Sequence, residues 1–326
     1  MLQYENYQKM RTITLEEHYA TPAFLKGPGR NFEIQTPHIV EPLCDLGDQR
    51  IAAMDATGID MQVLSLASPG VEQLDAAEAL TLARETNDLL ADAVGRHPDR
   101  FAGFATLPTA VPNGAADELE RMIGKHGFKG AVINGHIQGR YLDDQFFWPI
   151  LERAEALQVP IYLHPTQPPQ AVIEASYAGF SPEVMSLLTR AAWGWHIETA
   201  LHVIRLILGG AFDRYPRLQI VIGHLGEGIP FMLPRLNRTL PTELTKLERP
   251  MEAYLRENLH YTFAGFNWTP TFLDLLLEVG VERIMFSADY PFASMEEARC
   301  FLDQLPVSPA DKARISHGNA ERLLRL

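Results

Sequence analysis

Five residues of metal-binding type fall at the ends of four hydrophobic segments. They are Glu16 and His18 in TLEEH, His164 in PIYLHP, His224 in IVIGHLGE and Asp289 in RIMFSADYPF. The segments lie too far apart in the chain to form a local zinc clip. Carboxylates and imidazoles that converge from distant elements are typical of a catalytic metal site, so the elements must bring these ends together.

Spacing within the segments favours some roles over others. Glu16 and His18 stand two residues apart, which on a strand places both side chains on one face and turns Glu17 away. Glu227 follows His224 by three residues and could orient its imidazole. Taken singly, His164 could equally be a buried core histidine, and Asp289 could cap a helix.

Short β-rich segments alternate with amphipathic helical segments along the whole chain. The predicted strands are Thr12–Leu15, Met61–Leu66, Phe101–Leu107, Gly130–Gly135, Pro160–His164, Leu218–His224, Leu259–Gly265 and Arg283–Asp289. The predicted helices include Asp48–Ala56, Asp75–Gly95, Ala115–His126, Phe146–Leu157 and Ile315–Leu326. Eight strands in this alternation predict an α/β fold, a (β/α)₈ TIM barrel of parallel strands, built as a single domain over residues 1–326. A doubly wound open sheet is the alternative, but no glycine-rich phosphate turn follows the first strand.

Two connections are longer than βα loops usually are. One runs from Tyr19 to Gly47 after the first strand, and the other runs from Pro165 to Ile197 after the fifth. Both should cover the end of the barrel that carries the five residues, as a substrate lid, an intersubunit contact or a plain surface insertion. Within or near them, His136 and His196 are further candidates for pocket residues.

Composition limits the function classes. The chain has 326 residues and a formal net charge of -13 with no basic stripe, which argues against a nucleic-acid partner. Cys44 and Cys300 are too few for a disulfide framework and are expected to be reduced thiols. Neither a signal peptide nor a membrane-spanning stretch is recognisable, so we predict a cytoplasmic protein without membrane contact.

The motifs resemble one family over nearly the whole chain. They are LEEHYA at 15–20, SLASPGVEQL at 65–74, KGAVINGH at 129–136, YLHPT at 162–166, the long segment at 194–235, FSADYPF at 286–292 and HGNAERLL at 317–324. Together they resemble the amidohydrolase-2 branch of the amidohydrolase superfamily. Within it, the chain is most similar to the metal-dependent decarboxylases of γ-resorcylate (2,6-dihydroxybenzoate) and 2,3-dihydroxybenzoate.

The resemblance implies roles for individual residues. The implied metal ligands are Glu16, His18, His164 and Asp289; the implied catalytic residues are Asp289, His224 and Glu227; and the implied substrate-binding residues are Arg235, Asn134 and Phe292. Arg235 could act in its own subunit or enter from a neighbouring one. The family also implies one divalent ion, Zn²⁺ or Mn²⁺, no organic cofactor, and a homodimer or homotetramer.

The implied reaction is non-oxidative decarboxylation of a hydroxybenzoate, by protonation of the ring carbon and loss of carbon dioxide. The alternative enzyme is a metal-dependent hydrolase of a cyclic ester or amide, in which the metal activates water and Asp289 is the base. A non-enzymatic alternative is a metal-binding scaffold whose site has degenerated. The complete set of expected ligands disfavours it.

Overall fold

The computed structural model of the protein describes residues 10–326. Nine short strands, all paired in parallel, form its centre. They are β1 (Ile13–Tyr19), β2 (Met61–Leu66), β3 (Phe101–Gly103), β4 (Ala105–Thr106), β5 (Ala131–Asn134), β6 (Ile161–His164), β7 (Ile220–Ile222), β8 (Leu259–Thr262) and β9 (Ile284–Met285).

The strands close into a ring in chain order. One ladder runs β1-β2-β3 and the other runs from β4 to β9. Phe104 joins them, because its own N–H bonds Leu64 O while the next residue, Ala105, bonds Gly130 O. At the other seam the N–H of His18 donates to Tyr290 O at 2.8 Å. The third predicted strand is therefore one barrel strand interrupted at Phe104, and the predicted TIM barrel is confirmed.

Helices fill the connections between the strands. The α-helices are α1 (Pro22–Lys26), α2 (Phe32–Gln35), α3 (Val40–Cys44), α4 (Asp48–Thr57), α5 (Ala76–Arg96), α6 (Pro112–His126), α7 (Trp148–Leu157), α8 (Gln170–Ser176), α9 (Pro182–Leu188), α10 (Gly194–Leu208), α11 (Ala211–Arg214), α12 (Ile229–Thr239), α13 (Thr242–Thr245), α14 (Met251–Glu257), α15 (Thr269–Val279), α16 (Met295–Gln304), α17 (Pro309–Ala313) and α18 (Asn319–Leu324). Short 3₁₀ turns lie at Pro37–Ile39, Gln145–Phe147, His224–Gly226 and Val281–Arg283, and one π-helical turn lies at Arg314–Gly318.

Two apolar layers hold the strands in place. Inward-facing residues such as Leu15, Val63, Phe104 and Val221 form the barrel interior, and Leu324 of α18 closes its N-terminal end. A larger layer lies between the strands and the surrounding helices. Strands buried on both faces explain why the segments appear as continuous apolar runs in the sequence.

Several predicted boundaries were wrong at the end of the barrel that carries the polar residues. The first strand was predicted to end at Leu15, but a bulge between Thr14 and Glu17 lets the ladder continue to Tyr19. The strands predicted to reach His224 and Asp289 end earlier, at Ile222 and Met285. Both residues have positive φ, 50° and 63°, which the extended ladder excludes.

Both long connections contain helices. The first holds α1 to α3, and the second holds α8, α9 and the start of α10. Among the described helices, none is both long and apolar enough to cross a bilayer. Cys44 and Cys300 are free and exposed, as expected. The single domain over 1–326 stays a prediction, and its first nine residues lie outside the described part of the chain.

Candidate metal and substrate site

Glu16 belongs to the buried layer, or floor, beneath a cavity at the C-terminal end of the barrel. It is 1% exposed and lies beside His164, which lines the cavity. Its Oε2 accepts hydrogen bonds from the hydroxyls of Tyr162 and Thr262, the latter at 3.2 Å. Its Oε1 is buried and has no hydrogen-bond partner among the described residues. The two hydroxyls therefore fix the carboxylate and leave one oxygen available for a ligand.

In His18 and in His164, the contact made by the ring nitrogen Nδ1 fixes the direction in which Nε2 of the same ring points. His164 Nδ1 lies 2.9 Å from Pro165 O, which only an N–H can satisfy, so Nε2 carries the free lone pair. His18 Nδ1 lies 3.4 Å from Ser65 Oγ, and its buried Nε2 has no hydrogen-bond partner in the part of the chain that the structure describes. Both imidazoles are therefore oriented as metal-ligating histidines are.

These free atoms converge with Asp289. His164 Nε2 lies 3.3 Å from Glu16 Oε1, and His18 Nε2 lies 3.2 Å from Asp289 Oδ1. Neither contact is a hydrogen bond, so Glu16 Oε1 and His18 Nε2 stay without a hydrogen-bond partner among the described residues. Within the described residues, Glu16, His18 and His164 form a group whose ligand atoms all lie within 4.8 Å of one another. Buried polar atoms without partners are costly, so this donor set fits a divalent cation.

Charges on the floor favour the same conclusion. Burial and the nearby Asp289 carboxylate raise the pKa of Glu16, against the opposing effect of His224 and His18. Burial, together with His18 and His224, lowers the pKa of His164 well below its usual range. A neutral imidazole and a carboxylate that needs a counter-charge are both suited to a cation.

A second polar cluster stands beside the floor. Glu227 accepts from two histidines: its Oε1 lies 2.8 Å from His224 Nδ1 and its Oε2 lies 2.6 Å from His196 Nδ1. These residues form the other metal-type group found in the described part of the chain. Their nitrogens already bond the carboxylate, so a hydrogen-bonded chain explains the cluster better than a second ion. His196 therefore belongs to the site, which the sequence suggested only weakly.

Electrostatics make the cluster an ion pair. Burial opposes a charge on His224, but Glu227 and Glu16 outweigh it and raise the pKa of His224 to about 10. Burial likewise opposes a charge on Glu227, yet His224 and His196 hold the pKa of that carboxyl below its ordinary value. The two carboxylates therefore favour the protonated form of the His224 imidazole, in which Nδ1–H donates to Glu227.

The backbone that carries these residues is unusual. His224, Leu225, Glu227 and Asp289 all have positive φ between 50° and 63°, a region that non-glycine residues rarely adopt. Gly223 packs closely against Glu16, because a Cβ at this position would lie 2.4 Å from Glu16 Oε2. Such conformations cluster at functional sites, where the surrounding structure holds them.

Above the floor lies a cavity of about 600 Å³. His164, His224 and Asp289 line its inner end, and aromatic side chains including Phe292, Trp195 and Phe266 line its walls. The Phe292 ring lies 5.4 Å from the His18 ring and 5.8 Å from Phe32 of α2. The volume and the aromatic lining suit a small planar ligand.

The predicted substrate-binding residues are placed differently. Phe292 lines the cavity, and its contact with substrate stays a prediction. Asn134 is fully buried and does not line it, and its backbone N–H donates to Glu72. Arg235 is exposed on α12 and does not line the cavity of its own chain. His136 is also outside the lining, with its Nε2 3.2 Å from Gln167 O.

Several site residues were not predicted from the sequence. Tyr162 stands two residues before His164 on β6, so the period of a strand could have placed both on the inner face. Thr262 of β8 and Ser65 of β2 carry no comparable signal, because isolated hydroxyl residues are common in strands. Arg190, in the connection after β6, was also overlooked.

Comparison with known proteins agrees with this geometry. The amidohydrolase family profile matches residues 20–326. The chain belongs to this family. Among characterised amidohydrolase-family relatives, the γ-resorcylate decarboxylase of Polaromonas sp. strain JS666 is 38% identical over 328 residues, covering 96% of this chain and 98% of the relative.

Solved structures of amidohydrolase-family decarboxylases superpose closely. The dihydroxybenzoic acid decarboxylase of Polaromonas sp. JS666, with manganese and 2-nitroresorcinol, gives a TM-score of 0.90 at 36% identity, covering 97% of each chain. The 5-carboxyvanillate decarboxylase of Novosphingobium aromaticivorans, with manganese and a nitrobenzoic acid, gives 0.91 at 36% identity, covering 98% of this chain and 97% of that one. The family and the fold predicted from the sequence are confirmed.

Proposed function

We propose that the chain catalyses the metal-dependent, non-oxidative decarboxylation of a hydroxybenzoate. The observation that carries the proposal is the convergence of unpartnered Glu16 Oε1 and His18 Nε2 with His164 and Asp289, beneath an aromatic-walled cavity. Relatives that match nearly their full length are hydroxybenzoate decarboxylases, and they confirm the predicted reaction class over hydrolysis. The choice of metal and the roles of individual residues are our assignments.

Glu16, His18, His164 and Asp289 would hold one divalent ion, Mn²⁺ or Zn²⁺. Related structures contain manganese, which supports the first of these. When bound, the ion supplies positive charge that attracts a carboxylate and a neighbouring phenolic oxygen. No organic cofactor enters the reaction.

The chain's own groups then move one proton. Asp289, with 18% of its side chain exposed to the cavity, delivers a proton to the ring carbon that bears the carboxylate. A C–H bond forms there and aromaticity is lost; the C–C bond to the carboxylate then breaks, carbon dioxide leaves, and its bonding pair restores the aromatic ring. The proton consumed is replaced from solvent.

The His224–Glu227 pair stabilises the charge that accumulates. Protonated His224, held by Glu227, donates a hydrogen bond to an oxygen of the substrate and favours its phenolate form. His196 fixes the other carboxylate oxygen, so Glu227 cannot rotate away. Phe292 packs on the substrate ring.

A direct assay tests the proposal. Protein stripped with a chelator and reloaded with Mn²⁺ or Zn²⁺ should release carbon dioxide and a phenol from 2,6-dihydroxybenzoate, 2,3-dihydroxybenzoate or salicylate. His164→Ala should lose metal and activity together, whereas the matched change at partly exposed His126 should lose neither. Cleavage of esters or lactones without carbon dioxide release from any ortho-hydroxybenzoate would contradict the proposal.

We also assign Arg235 to the active site of a neighbouring subunit in a homodimer or homotetramer. Supporting this, α12 exposes Phe231 and Met232 beside Arg235, at 76% and 45%. Exposed apolar residues next to a cation that has no ion-pair partner within residues 10–326 fit an interface better than a free surface. The cytoplasmic location stays a prediction.

Subunit mixing tests the Arg235 assignment. Asp289→Asn and Arg235→Gln variants, each inactive alone, should regain part of the activity when unfolded and refolded together, because one mixed site would be intact. Light scattering should report an oligomer for each. A monomer, or no recovery from a mixed oligomer, would place Arg235 outside the neighbouring site.

A further inference from the structure

The outer end of the cavity carries one cation. Of the described residues that line it, Arg190 is the only lysine or arginine. It lies between α9 and α10, is partly buried, and its Nη1 donates to Gln35 Oε1 at 2.6 Å. Within residues 10–326 no carboxylate lies within 4.0 Å of its guanidinium. The remaining guanidinium N–H groups are therefore available.

Such a group is costly without an anion. A guanidinium stays protonated, and partial burial removes some of its hydration. Burial also lowers the pKa of Arg190, which reflects this desolvation. Several other arginines of the described chain meet carboxylates, as Arg205 meets Asp143 at 2.8 Å. Arg190 has an amide instead.

The two ends of the cavity differ in exposure. Glu16, His18 and His164 are buried at the floor, whereas Gln35, the partner of Arg190, is exposed at the mouth. The aromatic walls stand along the same cavity. A planar substrate whose departing carboxylate lies at the floor would therefore direct its opposite edge toward the mouth.

We propose that Arg190 binds a second carboxylate on the aromatic ring, so that the preferred substrate is a phenol with two carboxylates. The inference rests on the proposed function, because it takes the floor as the place of carbon dioxide loss. A guanidinium matches a carboxylate with two parallel N–H bonds, whereas a neutral phenol would satisfy only one. Arg190 is a specificity residue here and takes no part in proton transfer.

Two substrates and two variants test this assignment. 4-Hydroxyisophthalate carries the second carboxylate, and salicylate lacks it. Wild-type protein should have the higher kcat/KM for 4-hydroxyisophthalate. Arg190→Gln should lower that value roughly 10- to 100-fold, mainly through KM, while salicylate changes less than about 3-fold.

Gln35→Ala is the matched control. It removes the hydrogen bond between the two long connections but keeps the charge of Arg190, so the ratio of the two kcat/KM values should stay within about 3-fold of wild type. Thermal unfolding of each variant should show an intact fold. Isophthalate, which lacks the hydroxyl, should inhibit wild type more strongly than Arg190→Gln.

The outcomes separate the two proposals. An equal loss for both substrates in Arg190→Gln, or the same loss in Gln35→Ala, would show that Arg190 only joins the loops and would overturn the assignment. If salicylate is decarboxylated and 4-hydroxyisophthalate is not preferred, the second carboxylate site alone is wrong. If no hydroxybenzoate is decarboxylated, the proposed function fails, and this inference fails with it.

Discussion

The two ends of the barrel bury polar groups in opposite ways. At the C-terminal end, Glu16 Oε1 and His18 Nε2 are buried without partners. At the N-terminal end, Asn319 of α18 donates to Val281 O and Ile284 O, both at 2.8 Å, and Leu324 closes the apolar interior.

The difference separates function from stability. The C-terminal end keeps partnerless atoms in positions held by Tyr162, Thr262 and Ser65, which lowers stability and creates a ligand site. At the N-terminal end, Asn319 satisfies backbone carbonyls at the start of β9, and His260 Nε2 lies 3.1 Å from Gln219 Oε1. Changes at the first end should therefore alter catalysis, and changes at the second should alter unfolding.

The largest effect is expected at Asp289. Asp289→Asn keeps the shape, and asparagine tolerates the positive φ, but the proton donor is lost. We expect kcat to fall about 10²- to 10⁴-fold, with a free energy of unfolding within about 1 kcal/mol of wild type. Product formation with metal-loaded protein and urea unfolding measure the two quantities. A folded variant with normal kcat would remove Asp289 from the chemistry.

The next effect belongs to the other end of the barrel. Leu324→Ala leaves a cavity in the barrel interior, where Leu324 is 3% exposed. We expect the free energy of unfolding to fall by about 2–5 kcal/mol, with kcat of the folded protein unchanged. Urea unfolding and steady-state assays well below the Tm test this. A comparable loss of kcat would show that the two ends are coupled.

Glu227→Gln should have a smaller catalytic effect. The variant leaves His224 without its charged partner, so kcat should fall about 10- to 100-fold. The pKa of His224 should also fall, since Glu227 is the chief group that raises it. NMR titration of the His224 ring and the pH profile of kcat measure this. His196→Gln is the control, which should lower kcat less because His224 keeps its carboxylate.

The last prediction concerns pH and the N-terminal end. Burial, with Arg283 and Arg322, lowers the pKa of His260 to about 3 from 6.5. The unfolded chain therefore binds more protons, so the stabilisation is complete above the unfolded pKa and declines as pH falls, by about 1.4 kcal/mol per pH unit between the two values. His260→Gln should flatten this decline in metal-free protein. Unfolding curves with the same pH slope in both proteins would contradict it.

Much of the fold followed from the sequence because strands buried on both faces leave continuous apolar runs. The run before His164 predicted its strand and its end correctly. The ends at His224 and Asp289 were misjudged, since positive φ at a histidine or an aspartate leaves no compositional trace. The bulge at Glu16 likewise depends on the register between β1 and β2, which the sequence of one strand does not specify.

The residues of the candidate site were predicted or missed for similar reasons. The sequence grouped Glu16, His18, His164 and Asp289 as candidate ligands because ligand types at strand ends are rare and share one rim, and the structure brings these residues together. Their role as ligands stays a prediction. Tyr162, Thr262 and Arg190 were missed, because their roles depend on contacts across the barrel or between loops. Arg235 was expected near substrate, but it is exposed on α12 and does not line the cavity of its own chain, so its role stays a prediction.

One buried arginine has a consequence for how new specificities arise. Arg50 is fully buried and donates to His18 O, Pro42 O and Asp45 O at 2.7–2.8 Å. Arg50 thereby joins the C-terminal end of the first long connection to β1, which carries Glu16 and His18. The rest of this connection can be exchanged without moving those two side chains. Sequence variation in this connection during evolution, or loop grafting in the laboratory, can thus change the substrate while Glu16 and His18 keep their positions.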